Sequence, residues 1–171
     1  ILYLSTMMIP ITVRLIPSYN LCRNLNMLDT YMGMILPQVA WSIPFGTFLM
    51  RQFYMGIPKQ LDEAAKIDGA NHFQIFWKIL LPNTKSSMAT LGIYTFISAW
   101  NNLIWMLLSV RSESKWTVTL GISSICGASV IKQPTWNLIM GVIVIGMIPV
   151  LILFFAFQKY FMQSVAATGI K

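Results

Sequence analysis

Residues 136–157, WNLIMGVIVIGMIPVLILFFAF, carry no charged side chain, and this run constrains the fold more than any other feature of the chain. A helix rising about 1.5 Å per residue over that length reaches across a hydrocarbon core about 30 Å thick. Residues 31–50 and 86–108 are likewise free of Asp, Glu, Lys and Arg. Inside lipid, backbone N–H and C=O groups must be satisfied within the segment itself, so such runs read as transmembrane helices. The alternative is a soluble helical protein with a large core, and uncharged runs longer than about 20 residues argue against it. A composition of 56% hydrophobic and 10% charged residues weighs the same way. The 12 Met, 10 Phe and 6 Trp suit lipid-facing and interfacial surfaces.

The predicted fold class is therefore all-α, a polytopic transmembrane helical bundle forming one domain over 1–171. Its spans are expected at about 1–22, 31–50, 86–108 and 136–157. Pro10 and Pro17 are expected to bend the first, and Pro37 and Pro44 lie inside the second. Between the spans, residues 23–29 make a short polar loop, 51–85 a long polar interval and 109–135 a second one.

The net charge of +7 is scattered through the loops and not gathered into the continuous basic stripe that nucleic acid requires, so nucleic-acid binding is set aside. His72 is the sole histidine, and no Cys or His spacing suggests a metal site. Cys22 and Cys126 are read as unpaired thiols, with a disulfide as the alternative. No Gly-x-x-x-x-Gly-Lys-Ser/Thr phosphate-cradling loop occurs, so no ATP cofactor is expected on this chain and it is not expected to be an enzyme.

The interval 51–85 holds three of the five acidic residues. Pro58 fits the first turn of a helix, where its missing N–H costs nothing. Leu61, Ala64, Ala65 and Asp68 follow at helical spacing, and Gly69 is the natural stop because it can take the left-handed backbone conformation. Asn71 then caps a second helix, with Gln74 three residues on as in a capping box. That helix is expected to carry Phe73, Phe76, Trp77 and Leu80 on one face, anchored under the spans, and to be closed by Pro82.

Glu63-Ala64-Ala65, then Gly69, then Ile79-x-Leu81-Pro82 resembles the coupling motif of permease subunits in binding-protein-dependent ABC importers. The stretches IPKQLDEAAKIDGA, FQIFWKILLP and TFISAWNNLIW and the terminal ATGIK are similar to the carbohydrate-uptake branch, the maltose and glycerol-phosphate type, over roughly 7–171. The resemblance implies a cytoplasmic coupling loop at 51–85 in which Glu63, Ala64, Ala65, Asp68, Gly69, Ile79, Leu81 and Pro82 engage a separate ATPase. It implies a second permease subunit, two ATP-binding subunits that hold ATP and Mg, an extracytoplasmic substrate-binding protein and a sugar or sugar-derived substrate. It also implies a multi-pass protein of the bacterial plasma membrane, in contact with the lipid bilayer. Further spans are expected N-terminal to Ile1, which falls within an apolar run with no signal-peptide features before it. By the same resemblance, the tail Ala166–Lys171 is a secondary ATPase contact and the interval 109–135 faces the binding protein.

Lysine and arginine near the spans number seven on the side of the coupling loop (Arg51, Lys59, Lys66, Lys78, Lys85, Lys159, Lys171) and five opposite (Arg14, Arg23, Arg111, Lys115, Lys132). That balance points 51–85 inward. Trp100, Asn101 and Asn102 sit in an otherwise apolar span, where amides must face protein or water. They are candidates for the substrate pathway, with interhelical hydrogen bonding as the alternative. Arg14 is a further pathway candidate, or a snorkelling interfacial residue. Two other functions stay open at this point. An ion-coupled carrier predicts ionisable groups within spans, whereas all five acidic residues fall in loops. A non-transporting scaffold or sensor subunit predicts only a docking hairpin.

Overall fold

The computed structural model describes residues 2–131 and 136–168, with side chains for 5–127 and 136–158. Among the described residues there are helices and turns and no strand, so the chain is an all-α bundle. The expected span at 1–22 is broken into α1 (Leu2–Met7) and α2 (Ile11–Asn24). Pro10 stands between them with extended backbone (ψ 142°). A proline lacks the N–H that would continue the ladder and disfavours helix at the residue before it, so this one interrupts where a bend was expected. Pro17 remains inside α2.

Helix α3 (Tyr31–Met55) runs past the expected end at residue 50. Thr30 starts it: its hydroxyl accepts the Gly33 N–H at 3.1 Å and donates to the Met27 carbonyl at 2.7 Å. Pro37 and Pro44 lie within α3. Two short helices follow, α4 (Lys59–Ile67) and α5 (His72–Ile75), the latter continuing through a π-helical turn, Phe76–Leu80, into α6 (Leu81–Asn83). The expected span 86–108 is a bent pair, α7 (Lys85–Trp100) and α8 (Leu103–Ser109), meeting at 52°.

The interval expected to be a polar connection at 109–135 is largely helical, as α9 (Val118–Ile131). Its Ser, Thr and Gly residues suggested a loop, yet Val118, Ile122 and Ile125 recur at helical spacing, and Leu120 between them is buried. Lys132 lies outside the described residues. Helix α10 (Trp136–Thr168) carries the charge-free run and packs against α7 and α9. The side chains of Lys159–Lys171, including the expected tail contact, are likewise outside the described set.

By length and composition, Tyr31–Met55 and Trp136–Gln158 can cross a membrane, and α7 with α8 makes a third crossing if the bent pair is one span. Only 6% of the apolar window in Trp136–Gln158 is buried within the chain, so that surface is presented to lipid or to other polypeptides. The chain's own core lies where α2, α3, α8 and α9 converge, with Leu15, Cys22, Met34, Trp105, Met106, Val110 and Leu120 in one cluster. Trp105 is fully buried; its indole N–H donates to the Gly33 carbonyl at 3.1 Å, and its ring meets Trp41 edge-on at 5.2 Å. Cys22 and Cys126 are both free thiols.

Candidate functional site

The polar insert between α3 and α7 is built by local sequence chemistry. Helix α4 ends in a Schellman motif: the Ala70 N–H donates to the Ala65 carbonyl at 2.9 Å and the Gly69 N–H to the Lys66 carbonyl at 3.0 Å. Gly69 holds φ at +78°, and Asp68 is the C-cap, exposed. The chain then re-enters helix through Asn71, whose side-chain oxygen accepts the Gln74 N–H at 2.8 Å while Gln74 Oε1 accepts the Asn71 N–H at 2.9 Å. The result is two rigid helical segments joined at a fixed glycine corner.

On α4, Ala65 is buried and Ala64 and Glu63 are exposed. Asp62 and Lys66 pair along the helix at 2.7 Å. The adjacent Glu63 makes no hydrogen bond or ion pair among the described residues, so its carboxylate faces outward, available to a partner.

The second segment departs from expectation in two ways. It does not stop at Pro82 but continues to Asn83, because the preceding turn widens to π geometry: the Leu81 N–H reaches back to the Phe76 carbonyl. A widened turn relieves the clash between the proline ring and the carbonyl one turn back. Asn83 Nδ2 donates to the Ile79 carbonyl at 2.8 Å, and the buried Thr84 hydroxyl donates to the Leu80 carbonyl at 3.0 Å. The expected aromatic face is not the buried one: on α5, Ile75 packs inward and Phe73, two residues away on the same helix, points to the other side. Ile75 is 2% exposed, whereas Phe73 and Trp77 are 71% and 53% exposed. Ile79 and Leu81 are half-buried and Pro82 is exposed.

The second candidate region is a cavity of about 700 Å³ between α2, α3 and the α7–α8 corner. Arg14, Asn101 and Asn102 all line it, together with Gln38, Ser42 and Ser98. The corner forms because Asn102 leaves the helix in a tight turn (φ −78°, ψ 84°) and caps α8, its Oδ1 accepting the Trp105 N–H at 3.3 Å. Trp100 is not on this wall. Its indole N–H donates to the Gly146 carbonyl at 3.3 Å and its ring stacks on Phe96 at 5.5 Å, so it ties α7 to α10. Of the pathway candidates, three share the cavity and the fourth is an interhelical contact.

Sequence reading passed over Asp29 as a loop residue. Its Oδ1 accepts the backbone N–H groups of Arg111 and Ser112, each at 3.0 Å, and its Oδ2 accepts the Ser112 hydroxyl. Lys115 reaches both its carboxylate and its carbonyl. The Ser112 hydrogen bonds, then that of Arg111, hold the Asp29 carboxyl well below the usual carboxylate range. The one available signal was its place beside the helix-capping Thr30.

These features define an all-helical membrane subunit with a helix–glycine–helix insert between two apolar segments and a polar cavity at a broken one. The chain belongs to the family described as the binding-protein-dependent transport system inner membrane component, whose model matches residues 1–167. It is accordingly a multi-pass component of a bacterial inner membrane. It is 39% identical over 160 residues to the sn-glycerol-3-phosphate transport system permease protein UgpE of Yersinia enterocolitica, covering 93% of this chain and 56% of that one. It is 32% identical over 171 residues to the arabinooligosaccharides transport system permease protein AraQ of Bacillus subtilis, covering 100% of this chain and 59% of that one. A solved bacterial ABC transporter involved in the import of the acidic polysaccharide alginate superposes with a TM-score of 0.68 at 30% identity, covering 85% of this chain and 55% of that chain. The chain thus spans a little over half the length of these relatives.

Proposed function

We propose that this chain acts as a permease subunit of an ATP-driven importer for a sugar or sugar derivative. It would form half of the translocation pathway and pass motion to a separate ATPase through residues 58–82. The observation that carries this reading is the exposed Glu63 carboxylate on a short helix fixed at a glycine corner. A rigid element of this kind can seat in a groove of a soluble motor and be carried with it. A charge pair at such an interface sets orientation and register. Glu63 would meet a basic group of the motor, Ala64 would permit close approach, and Ile79, Leu81 and Pro82 would hold the second segment beneath the spans.

Family membership and the named relatives support the remaining parts. A second permease subunit would complete the pathway, two ATP-binding subunits would hold ATP and Mg, and an extracytoplasmic binding protein would deliver cargo. Hydrolysis would belong to the ATP-binding subunits, and this chain would be no enzyme. The loop 51–85 and the C-terminal tail would face the cytoplasm. ATP-driven closure of the motor would then shift access from one side of the membrane to the other.

The test is ATP hydrolysis by the reconstituted full-length complex with cargo-loaded binding protein. Loaded binding protein is expected to stimulate the wild type, and Glu63→Ala is expected to lose most of that stimulation while staying assembled in the membrane. A Glu63→Ala complex that remains fully stimulated removes the coupling role. Absence of any copurifying ATPase puts the scaffold reading first.

A further inference from the structure

We propose that the cavity between α2, α3 and the α7–α8 corner receives an anionic, hydroxylated cargo, a sugar bearing a carboxylate or phosphate, whose charge is read by Arg14. The identification of this ligand as cargo rests on the transport reading above.

Arg14 presents the argument. Its guanidinium stands over the Trp41 ring at 5.9 Å from the centroid, and its Nε is buried with no hydrogen-bond partner among the described residues. A cation over a ring face gains electrostatic attraction, yet the ring offers no acceptor to the N–H groups. A buried, charged donor left unsatisfied is costly, and a planar fork of donors is matched best by a carboxylate or phosphate. Among the described residues no Asp or Glu lines the cavity, so none of them supplies a counter-charge there. The wall these residues form is electropositive and suits an anion.

The rest of the lining fits the hydroxylated part of such a ligand. Gln38 spends its Nε2 on the Met34 carbonyl at 3.0 Å, which leaves its Oε1 as an acceptor. Asn102 spends its Oδ1 on the Trp105 N–H, which leaves its amide donors. Asn101, exposed at the helix break, adds both a donor and an acceptor. Neutral groups of both polarities beside one unpaired guanidinium suit a polyol with a single charged end. A wholly neutral sugar could accept hydrogen bonds from the guanidinium but would leave its charge unbalanced.

The test is equilibrium binding to the full-length complex in lipid nanodiscs. The probes are glycerol 3-phosphate and a galacturonate disaccharide, against glycerol and a galactose disaccharide as neutral counterparts. At least one anionic probe is expected to bind about tenfold or more tightly than its counterpart, the value of one hydrogen-bonded charge contact. Whichever anion is preferred separates phosphate from carboxylate. Arg14→Gln is expected to abolish the preference and Arg14→Lys to keep part of it. Equal binding of charged and neutral probes to the wild type, or no saturable binding of either anion, overturns the proposal without relying on any variant. An undiminished preference in Arg14→Gln overturns it as well. Should the Arg14-dependent preference hold while no loaded binding protein stimulates hydrolysis, the importer reading fails and the anion's role as cargo falls with it.

Discussion

Ser112 meets Asp29 twice, its backbone N–H on one carboxylate oxygen at 3.0 Å and its hydroxyl on the other. With the Arg111 N–H and Lys115, this carboxylate ties the turn before α3 to the connection between α8 and α9. Asp29 also holds φ at +57°, a conformation that Asn and Asp tolerate better than other non-glycine residues.

Substitution at Asp29 therefore separates two effects. Asp29→Asn keeps the backbone preference and one accepting oxygen but loses the charge, whereas Asp29→Ala loses all three. Both are expected to lower the thermal midpoint of the purified protein, Ala more than Asn. The pH dependence has a definite sign. The folded-state pKa lies below the unfolded value of about 4, so this stabilisation is complete above that value and is lost as pH falls below it. Acid sensitivity of the midpoint below about pH 4 should be weaker in Asp29→Asn than in wild type. Equal sensitivity would show that other carboxylates set it.

Gly69 is constrained by its backbone alone. Its φ is +78° and an added Cβ would meet nothing within 4 Å. Gly69→Ala is expected to cost about 1–2 kcal/mol of conformational strain at the α4 terminus, and Gly69→Asn less. Amide exchange across residues 64–70 should accelerate in the Ala variant and remain closer to wild type in the Asn variant. A crowding explanation predicts the reverse order, because Asn is the larger.

The neighbouring acids of α4 are expected to behave differently. Asp62 pairs with Lys66 at 2.7 Å, with both side chains close to half exposed. Such a pair contributes only about 0.3–0.5 kcal/mol to its helix. Asp62→Asn should leave binding-protein-stimulated ATP hydrolysis within experimental scatter of wild type, while Glu63→Gln lowers it. Equal losses in both would mean that the helix responds to its overall charge and not to one carboxylate.

Much of this molecule was legible because its rules are local. Charge-free runs disclosed the apolar helices, and Asn71, Gln74 and Gly69 disclosed the two helix ends that meet at the corner. Three features escaped: a change of helical period, a cap inside an uncharged run that reads as one span, and a contact distant in sequence. The π-helical turn at Phe76–Leu80 carries the segment past Pro82 to Asn83, which uniform 3.6-residue periodicity cannot foresee. Asn102 breaks a span because it finds the Trp105 N–H to cap. Asp29 looks like any loop acid until the fold brings residues 111–115 beside it.

Trp105 tests whether the small core is as demanding as its burial implies. It is fully buried and donates to the Gly33 carbonyl, where Gly33 itself has no room for a Cβ because the Met27 oxygen would lie 2.0 Å away. Trp105→Phe should cost about 1–3 kcal/mol, chiefly from the carbonyl left without its donor. Trp105→Ala should cost about 3–5 kcal/mol from lost packing. Denaturant titration of the purified protein reads both. A Phe variant as unstable as Ala would place the value of the residue in its hydrogen bond.

Gly146 carries the packing of α10 on α9. A Cβ there would lie 2.5 Å from Ile122 Cδ1, the end of a flexible side chain. The same residue's carbonyl accepts the Trp100 indole N–H. Gly146→Ala should thus be survivable, forcing Ile122 off its rotamer at about 0.5–1.5 kcal/mol. Gly146→Leu should cost about 1–3 kcal/mol or more by driving the helices apart and stretching the Trp100 bond. Ile122→Val removes the offending methyl, so it should rescue most of the Gly146→Ala loss, although Ile122→Val alone is mildly destabilising. That sign reversal is the decisive reading of a double-mutant cycle. Simple additivity would mean that α9 and α10 do not touch at this point in the assembled protein.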